Sequence, residues 1–190
     1  MSMQTLWVSD SLDYDGRQLR AHWLLDTFGL VGDAIVGFRG GCEVADEEMA
    51  DLADLDGPGI AADEMVHFVW ETFTTPDLLL ATHRQRLFAG QVFEWLTAAC
   101  RGADLRRDGD DLFVADGKLS ISIATVTPVS ALIHFAVNVR ASGAPVEVAS
   151  LEDLGVEPTA FGEAILSRVA AEQVSIEAAR AKVRSKGEWR

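Results

Sequence analysis

Lys118 is the first candidate for chemistry, because cations are scarce around it. It lies in DDLFVADGKLSISIA, positions 110–124, where three carboxylates precede it. The other two lysines, Lys182 and Lys186, fall among the last nine residues. An ammonium group at a strand end could hold a carboxylate or phosphate and could stabilise negative charge that develops on an acyl group. In the plainer reading, Lys118 solvates a hairpin end and pairs weakly with Asp116.

Asp111 is the second candidate, because a turn at Asp116-Gly117 would bring it close to Lys118. Asp-Gly between two alternating apolar runs is a strong signal for a β-hairpin. The seven-residue separation of Asp111 and Lys118 then predicts that both side chains lie at one end of the sheet. A carboxylate there could position a bound group or ligate a metal ion.

Two glycines behind an arginine, in DAIVGFRGG at 33–41, form the third candidate element. The run predicts a short apolar strand that leads into a glycine turn. Such a turn could form a nest of backbone N–H groups for an anion, with Arg39, Gly40 and Gly41 closing over the ligand. Alternatively, the glycines only make a tight turn, and Arg39 solvates it.

Three other positions leave alternatives open. His134 lies in the apolar run 131–139, so it either faces the Lys118 site or is a hydrogen-bonded core imidazole. Arg86, on a predicted helix, could bind phosphate through two hydrogen bonds or balance the acidic surface. Glu64, His67 and Glu71 would share one face of a helix predicted over 63–73. Because a di-metal bundle needs a second copy of this pattern, we predict a polar face and no metal site.

The elements that must position these residues follow from periodicity and turn signals. We predict strands at 5–9, 33–41, 111–115, 118–126 and 131–139, an acidic connection at 43–58, an extended arm at 144–150, and helices at 15–29, 63–73, 76–100, 158–171 and 175–185. This order predicts a single α+β domain over 1–190, with a mixed or antiparallel sheet packed with helices on one side and a helical C-terminal segment at 157–186.

Composition limits the expected partners. The 190 residues include 30 acidic and 16 basic side chains, and a net charge of −14 repels nucleic-acid backbones. We expect a small-molecule acid or nucleotide instead, with a homodimer left open. Cys42 and Cys100 form no C-x-x-C pair, which indicates free thiols. No long apolar run or leader pattern is visible, so we expect a cytoplasmic protein without membrane contact.

Four segments resemble biotin and lipoate protein ligases and the octanoyltransferases. DDLFVADGKLS at 110–120 is similar to the segment that carries the family's lysine. IHFAVNV at 133–139 and VASLEDLGV at 148–156 resemble the strand and the step that follow it. GFRGGCEV at 37–44 resembles the glycine turn that wraps the acyl tail. The resemblance implies the α+β fold of the ligase catalytic domain.

The resemblance also implies an acyl or carboxylate transferase or ligase. Lys118 would stabilise the acyl or acyl-adenylate group, and Asp111 would position it. Together with the residue patterns above, it gives these candidate substrate-binding residues: Arg39, Gly40, Gly41, His134, Asn138 and Arg86. A reaction through an adenylate would require ATP and Mg²⁺, for which Asp111 offers an acidic ligand.

The chain departs from that family at several positions. Ile121 or Ser122 replaces the glycine after the lysine, and Asp110 stands where the ligases have asparagine. No cysteine follows FAVNV, so the thiol that carries the acyl group in octanoyltransferases is missing. A non-catalytic carboxylate- or nucleotide-binding protein is therefore the alternative function. In its length and its residue sequence, the chain more closely resembles domain-of-unknown-function family 366, a family without an established activity.

Overall fold

Long runs of β-branched and aromatic residues form most of the strands in the computed structural model, which describes residues 3–186. In chain order, the strands are β1 (Gln4–Trp7), β2 (Ala34–Val44), β3 (Ile60–Thr72), β4 (Leu105–Asp108), β5 (Asp111–Val114), β6 (Gly117–Lys118), β7 (Ser120–Val126) and β8 (Ala131–Asn138). The helices are α1 (Trp23–Phe28), α2 (Leu78–Ala99) and α3 (Pro158–Ala181), and two short 3₁₀ turns cover Asp46–Glu48 and Asp54–Asp56.

The strands form one large sheet and one small sheet. The large sheet has the order β1-β2-β3-β8-β7, and the small one has the order β4-β5-β6. Strand β1 runs parallel to β2, whereas every other strand pair is antiparallel. The predicted α+β class with a mixed sheet is therefore confirmed.

Both faces of the large sheet are covered. Helices α2 and α3 pack on one face, where Phe88 contacts Phe68 and Phe135 at ring-centroid distances of 5.4 and 5.0 Å. The other face is covered by the segment between β1 and β2, including α1, with Trp23 and Phe38 in its core. The prediction of helices on one side thus holds for α2 and α3, but α1 lies on the opposite face.

The helix predicted over 63–73 is wrong, because residues 63–72 belong to β3. This strand lies in the middle of the sheet and pairs with both β2 and β8. Residues 65–72 are buried on both faces, so their sequence carries no alternation of polar and apolar positions. On a strand, Glu64 and His67 point to opposite faces, which separates the predicted Glu64, His67, Glu71 group.

Two other helix boundaries differ from the prediction. Only Trp23–Phe28 of the predicted 15–29 segment is helical, and turns occupy most of residues 16–22. Gly29 ends this helix in the left-handed region at a φ of 70°. Near the C-terminus, the two predicted helices are one continuous helix, α3. None of the helices within residues 3–186 combines the length and the apolar character needed to cross a bilayer.

Trp7 connects β1 to the rest of the core through two glycines. A Cβ atom on Gly37 would lie 2.9 Å from the Trp7 indole, and one on Gly162 would lie 2.1 Å from it. The indole therefore fills the space that these residues leave on β2 and α3. The close approach of the Trp7 indole requires both glycines. Backbone conformation does not, since neither has a positive φ.

This packing predicts opposite effects for two helical glycines. Gly162→Ala should lower the free energy of unfolding by roughly 1–3 kcal/mol, because its methyl group collides with Trp7. Gly90→Ala in α2 is the matched control, since a Cβ there meets nothing within 4 Å. It should raise stability by about 0.5–1 kcal/mol through helix propensity. Urea denaturation measures both, and equal effects would contradict the proposed packing of Trp7.

Candidate functional site

A cavity of about 340 Å³ lies on the α1 face of the sheet, at the β7 edge. Met65, Ile121, Ile123, His134 and Asn138 form its floor, since the register of β3, β8 and β7 places them on one face. The acidic segment between β2 and β3 forms one wall. The extended segment at 144–148 forms the other.

Lys118 and Asp111 meet in this cavity. The Lys118 Nζ lies 3.0 Å from the Asp111 Oδ1, and about a third of each side chain is exposed. The turn at Ala115-Asp116 joins β5 to β6 and brings the two residues together. Burial raises the pKa of the Asp111 carboxyl, although the Lys118 ammonium opposes this shift. The pair is thus a cation and a partly desolvated carboxylate at the cavity wall.

Asn138 holds the backbone of Lys118 in place. Its Nδ2 donates hydrogen bonds to the carbonyl oxygens of Lys118 and Ala149, both at 3.1 Å. Gly117 permits this approach, since a Cβ there would lie 2.9 Å from the Ala149 nitrogen. Asn138 also lines the cavity. The Asn138 amide nitrogen therefore positions Lys118. The substrate-binding role of Asn138 stays a prediction.

His134 belongs to a buried column of rings. Its Nε2 lies 3.1 Å from the Nδ1 of His67, and the Nε2 of His67 lies 3.2 Å from the Gly40 carbonyl oxygen. Tyr14 stacks on His134 with a centroid distance of 3.6 Å. Burial lowers the pKa of His67 to about 4, and it lowers the pKa of His134 well below its ordinary value. Both imidazoles are therefore neutral at physiological pH.

Arg39, Gly40 and Gly41 do not form the predicted turn. They lie within β2, where the pairing register shifts between Gly40 and Cys42. Arg39 points to the α2 and α3 face and forms an ion pair with Glu64, so the sheet separates it from Lys118.

The chain itself covers the two glycines. A Cβ on Gly40 would lie 2.1 Å from the Leu12 carbonyl oxygen, and the Gly41 N–H donates to the Asp13 carboxylate at 2.8 Å. Neither glycine lines the Lys118 cavity.

Arg86 also lies outside the cavity lining. Its Nη1 lies 2.8 Å from the Asp110 Oδ1, and Gln85 donates a hydrogen bond to the other carboxylate oxygen at 2.6 Å. Asp110 does line the cavity. Arg86 therefore fixes a cavity residue, and its guanidinium is already engaged by a carboxylate.

The sequence predictions missed Tyr14 and the acidic wall as parts of this site. Tyr14 is the single tyrosine of the chain and is almost fully buried. The connection at 43–58 supplies Glu48, Asp51 and Asp54 to the cavity lining. Neither had a local signal, since Tyr14 stands between polar neighbours in LDYDGRQ and the acidic connection carries no pattern that places it beside Lys118.

No group of three or more His, Cys, Asp or Glu side chains within residues 3–186 is arranged to hold a metal ion. The Glu71 carboxylate accepts a hydrogen bond from the backbone N–H of His22 at 2.8 Å.

Burial raises the pKa of the Cys42 thiol to about 12, so this thiol is protonated at neutral pH and a poor nucleophile.

Comparison with known proteins identifies the family. Residues 3–184 match the domain of unknown function DUF366. The chain belongs to this family. A DUF366-like relative, the uncharacterized protein MJ0805 of Methanocaldococcus jannaschii, is 39% identical over 161 residues, which cover 82% of this chain and 72% of the relative. A solved protein of unknown function from Pyrococcus horikoshi is 42% identical, with a TM-score of 0.92 over 97% of this chain and 99% of that one.

The DUF366 chain also shares its fold with ligases at low identity. Biotin protein ligase from Aquifex aeolicus, solved with biotin and ATP, aligns with a TM-score of 0.61 and 11% identity, over 92% of this chain and 72% of the ligase. Ta0514 of T. acidophilum, a candidate lipoate protein ligase solved with lipoic acid, gives 0.55 and 15%, over 92% and 87%. The expected remote resemblance is confirmed for the fold, and these likenesses assign no activity.

The buried imidazole pair predicts acid sensitivity. An unfolded imidazole binds a proton below its ordinary pKa of 6.5, whereas folded His67 does so only near a pKa of about 4. The unfolded state therefore binds more protons between these values, and stability falls as the pH is lowered through this range. His67 alone should account for roughly 3 kcal/mol of lost unfolding free energy.

Urea denaturation between about pH 7 and pH 4.5 measures this loss. His83→Asn is the control, because it removes an exposed histidine that lies outside the buried pair. His67→Gln should make the dependence above about pH 5 shallower by the share of His67, and the share of buried His134 should remain, since ordinary carboxylates stay ionised there. A flat wild-type curve in that range would contradict a neutral, buried pair.

Proposed function

We propose that this DUF366 protein binds a small carboxylic acid in the cavity and that Lys118 holds its acid group. We further propose that the protein carries out a reaction at this acid group, as an acyltransferase or a ligase of the biotin and lipoate type does. The single observation that carries it is the position of Lys118, whose ammonium is the only lysine or arginine charge on the lining formed by the described residues. The fold shared with the ligases favours acyl chemistry by analogy.

In this role, Lys118 would act as an electrophilic stabiliser. An ammonium fixed beside an acyl carbonyl stabilises the negative charge that grows on its oxygen during attack or leaving-group departure. Asp111 keeps the Lys118 Nζ in place through their 3.0 Å contact. Asn138 holds the backbone of Lys118, so the ammonium is positioned from both sides.

ATP and Mg²⁺ belong to the ligase form of the proposal, and the residues present fit them poorly. Five carboxylates line the cavity against the single cation Lys118: Glu48, Asp51, Asp54, Asp110 and Asp111. A triphosphate would be repelled by this lining unless cations accompanied it. Within residues 3–186 no three-ligand metal group stands ready. We therefore derive no step through a nucleotide and keep ATP as one arm of the test.

The alternative is a binding protein without chemistry, and one observation favours it. The glycines that resemble the acyl-wrapping turn of the ligases are covered by Leu12 and Asp13 of the chain itself. A ligand could not reach the N–H groups of Gly40 and Gly41 without displacing this segment. Such a protein would keep Lys118 as the anchor of the bound acid and turn nothing over.

Ligand-dependent stability tests the acid site. Octanoate, lipoate and biotin, each with and without ATP and Mg²⁺, should include an acid that raises the melting temperature. At a hundredfold excess over its Kd the gain is roughly 2.7 kcal/mol, or about 5–10 °C. Lys118→Ala should weaken that acid about ten- to hundredfold, because a charged hydrogen bond is lost.

Lys182→Ala is the matched control, since it removes the same charge from an exposed position outside the cavity lining. It should bind the acid like the wild type. Pyrophosphate release that requires acid and ATP and disappears in Lys118→Ala would support the ligase. Stabilisation without turnover would support the binding protein. No stabilisation by any acid, or equal affinity in Lys118→Ala, would reject the acid site.

A further inference from the structure

The tautomers of the two buried histidines are fixed by the carbonyl at the end of their hydrogen-bond chain. The Gly40 carbonyl oxygen can only accept, so the Nε2 of His67, 3.2 Å away, must carry a proton. In a neutral imidazole the other nitrogen then accepts. The Nδ1 of His67 accepts from His134 Nε2–H at 3.1 Å, and the proton of His134 is thereby placed as well.

The remaining nitrogen, Nδ1 of His134, is therefore a bare acceptor. It has no hydrogen-bond partner within residues 3–186, although His134 is only 2% exposed. The buried side-chain atoms without a partner in that part of the chain are the Nε1 of Trp70 and the Oε1 of Gln91. The open nitrogen of His134 is thus not sealed in the core. Because His134 lines the Lys118 cavity, this nitrogen is left for a molecule in the cavity.

The surroundings of His134 hold the ring and favour donors. Tyr14 stacks on the ring at an interplanar angle of 5°, and a flip of the imidazole within this plane would break its hydrogen bond to His67. The acidic wall adds the acceptor groups of Glu48, Asp51 and Asp54 to the same cavity. Apart from Lys118, the charged groups of the lining only accept hydrogen bonds.

We propose that His134 is a preset hydrogen-bond acceptor that selects, among small carboxylic acids, those that also carry an N–H donor. The donor would be a ureido, amide or ammonium group, directed to the Nδ1 of His134 while the acid group meets Lys118. His67 is a positioning residue, because it fixes the tautomer of His134 without touching the ligand. The acid half of this proposal rests on the proposed function, whereas the acceptor half stands on the histidine geometry alone.

Neutral fragments test the acceptor without Lys118. Nitrogen NMR of wild-type protein with labelled histidine should first show His134 protonated at Nε2 and bare at Nδ1. Ethyleneurea, which carries N–H groups, should then shift the Nδ1 signal, whereas N,N′-dimethyl ethyleneurea, which carries none, should not. Lys118→Ala should respond like the wild type. A proton on Nδ1 in the free protein, equal responses to both fragments, or no response to ethyleneurea would overturn the proposal.

Acids of equal chain length test the selection. ω-Aminooctanoate should bind about three- to tenfold more tightly than octanoate, the gain expected for one hydrogen bond. His134→Phe, which keeps a ring against Tyr14, should reduce this preference to the part that the carboxylates of the lining supply. An unchanged preference in a folded His134→Phe protein, or none in the wild type, would overturn the selective role. If the fragments bind as expected and no acid does, the proposed function fails while the acceptor stands.

Discussion

The hydrogen bond between His134 and His67 lies where β3 meets β8, in the middle of the sheet. Both rings are almost fully buried, so both must stay uncharged, and each nitrogen that faces protein needs a partner. The Gly40 carbonyl on β2 is the partner of the His67 Nε2, and the Tyr14 ring from the N-terminal segment stacks on His134. The neutral histidine pair thus joins β2, β3 and β8 to the N-terminal segment that covers them. It also places His134 in the floor of the cavity.

The same segment also limits where a cavity can lie on this face of the sheet. Tyr14 donates its N–H to Gly41, and Glu43 donates to the Tyr14 carbonyl, so residues 12–14 run beside β2. Gly40 has no side chain because the Leu12 carbonyl occupies that space. The two glycines therefore contact residues 12–14 of the chain itself, and the cavity lies toward β7 and the acidic wall.

Local signals predicted that a hairpin brings Asp111 close to Lys118, but its turn is Ala115-Asp116 in place of Asp116-Gly117, and the predicted strand 118–126 divides into β6 and β7 of different sheets. They failed for β3, where burial on both faces removes alternation and leaves Glu64 and His67 at a spacing that mimics a helix. The prediction that Arg39 belongs to a glycine turn was wrong for a related reason. Its face depends on the strand continuing through Gly40, and the sequence pattern indicated a turn. The acidic wall depends on tertiary packing that no local period records.

Because the cavity is negatively charged, Asp111 bears on the binding of an acid as much as Lys118 does. An acid that reaches the ammonium enters beside a carboxyl group that already occupies it at 3.0 Å. Two carboxylates around one ammonium leave an excess negative charge in a cavity that already carries several. Burial raises the pKa of Asp111, which favours its neutral form more than exposure would. An acid bound at Lys118 would therefore compete with Asp111 for one ammonium, because like charges that share a site disfavour the ionised form of each.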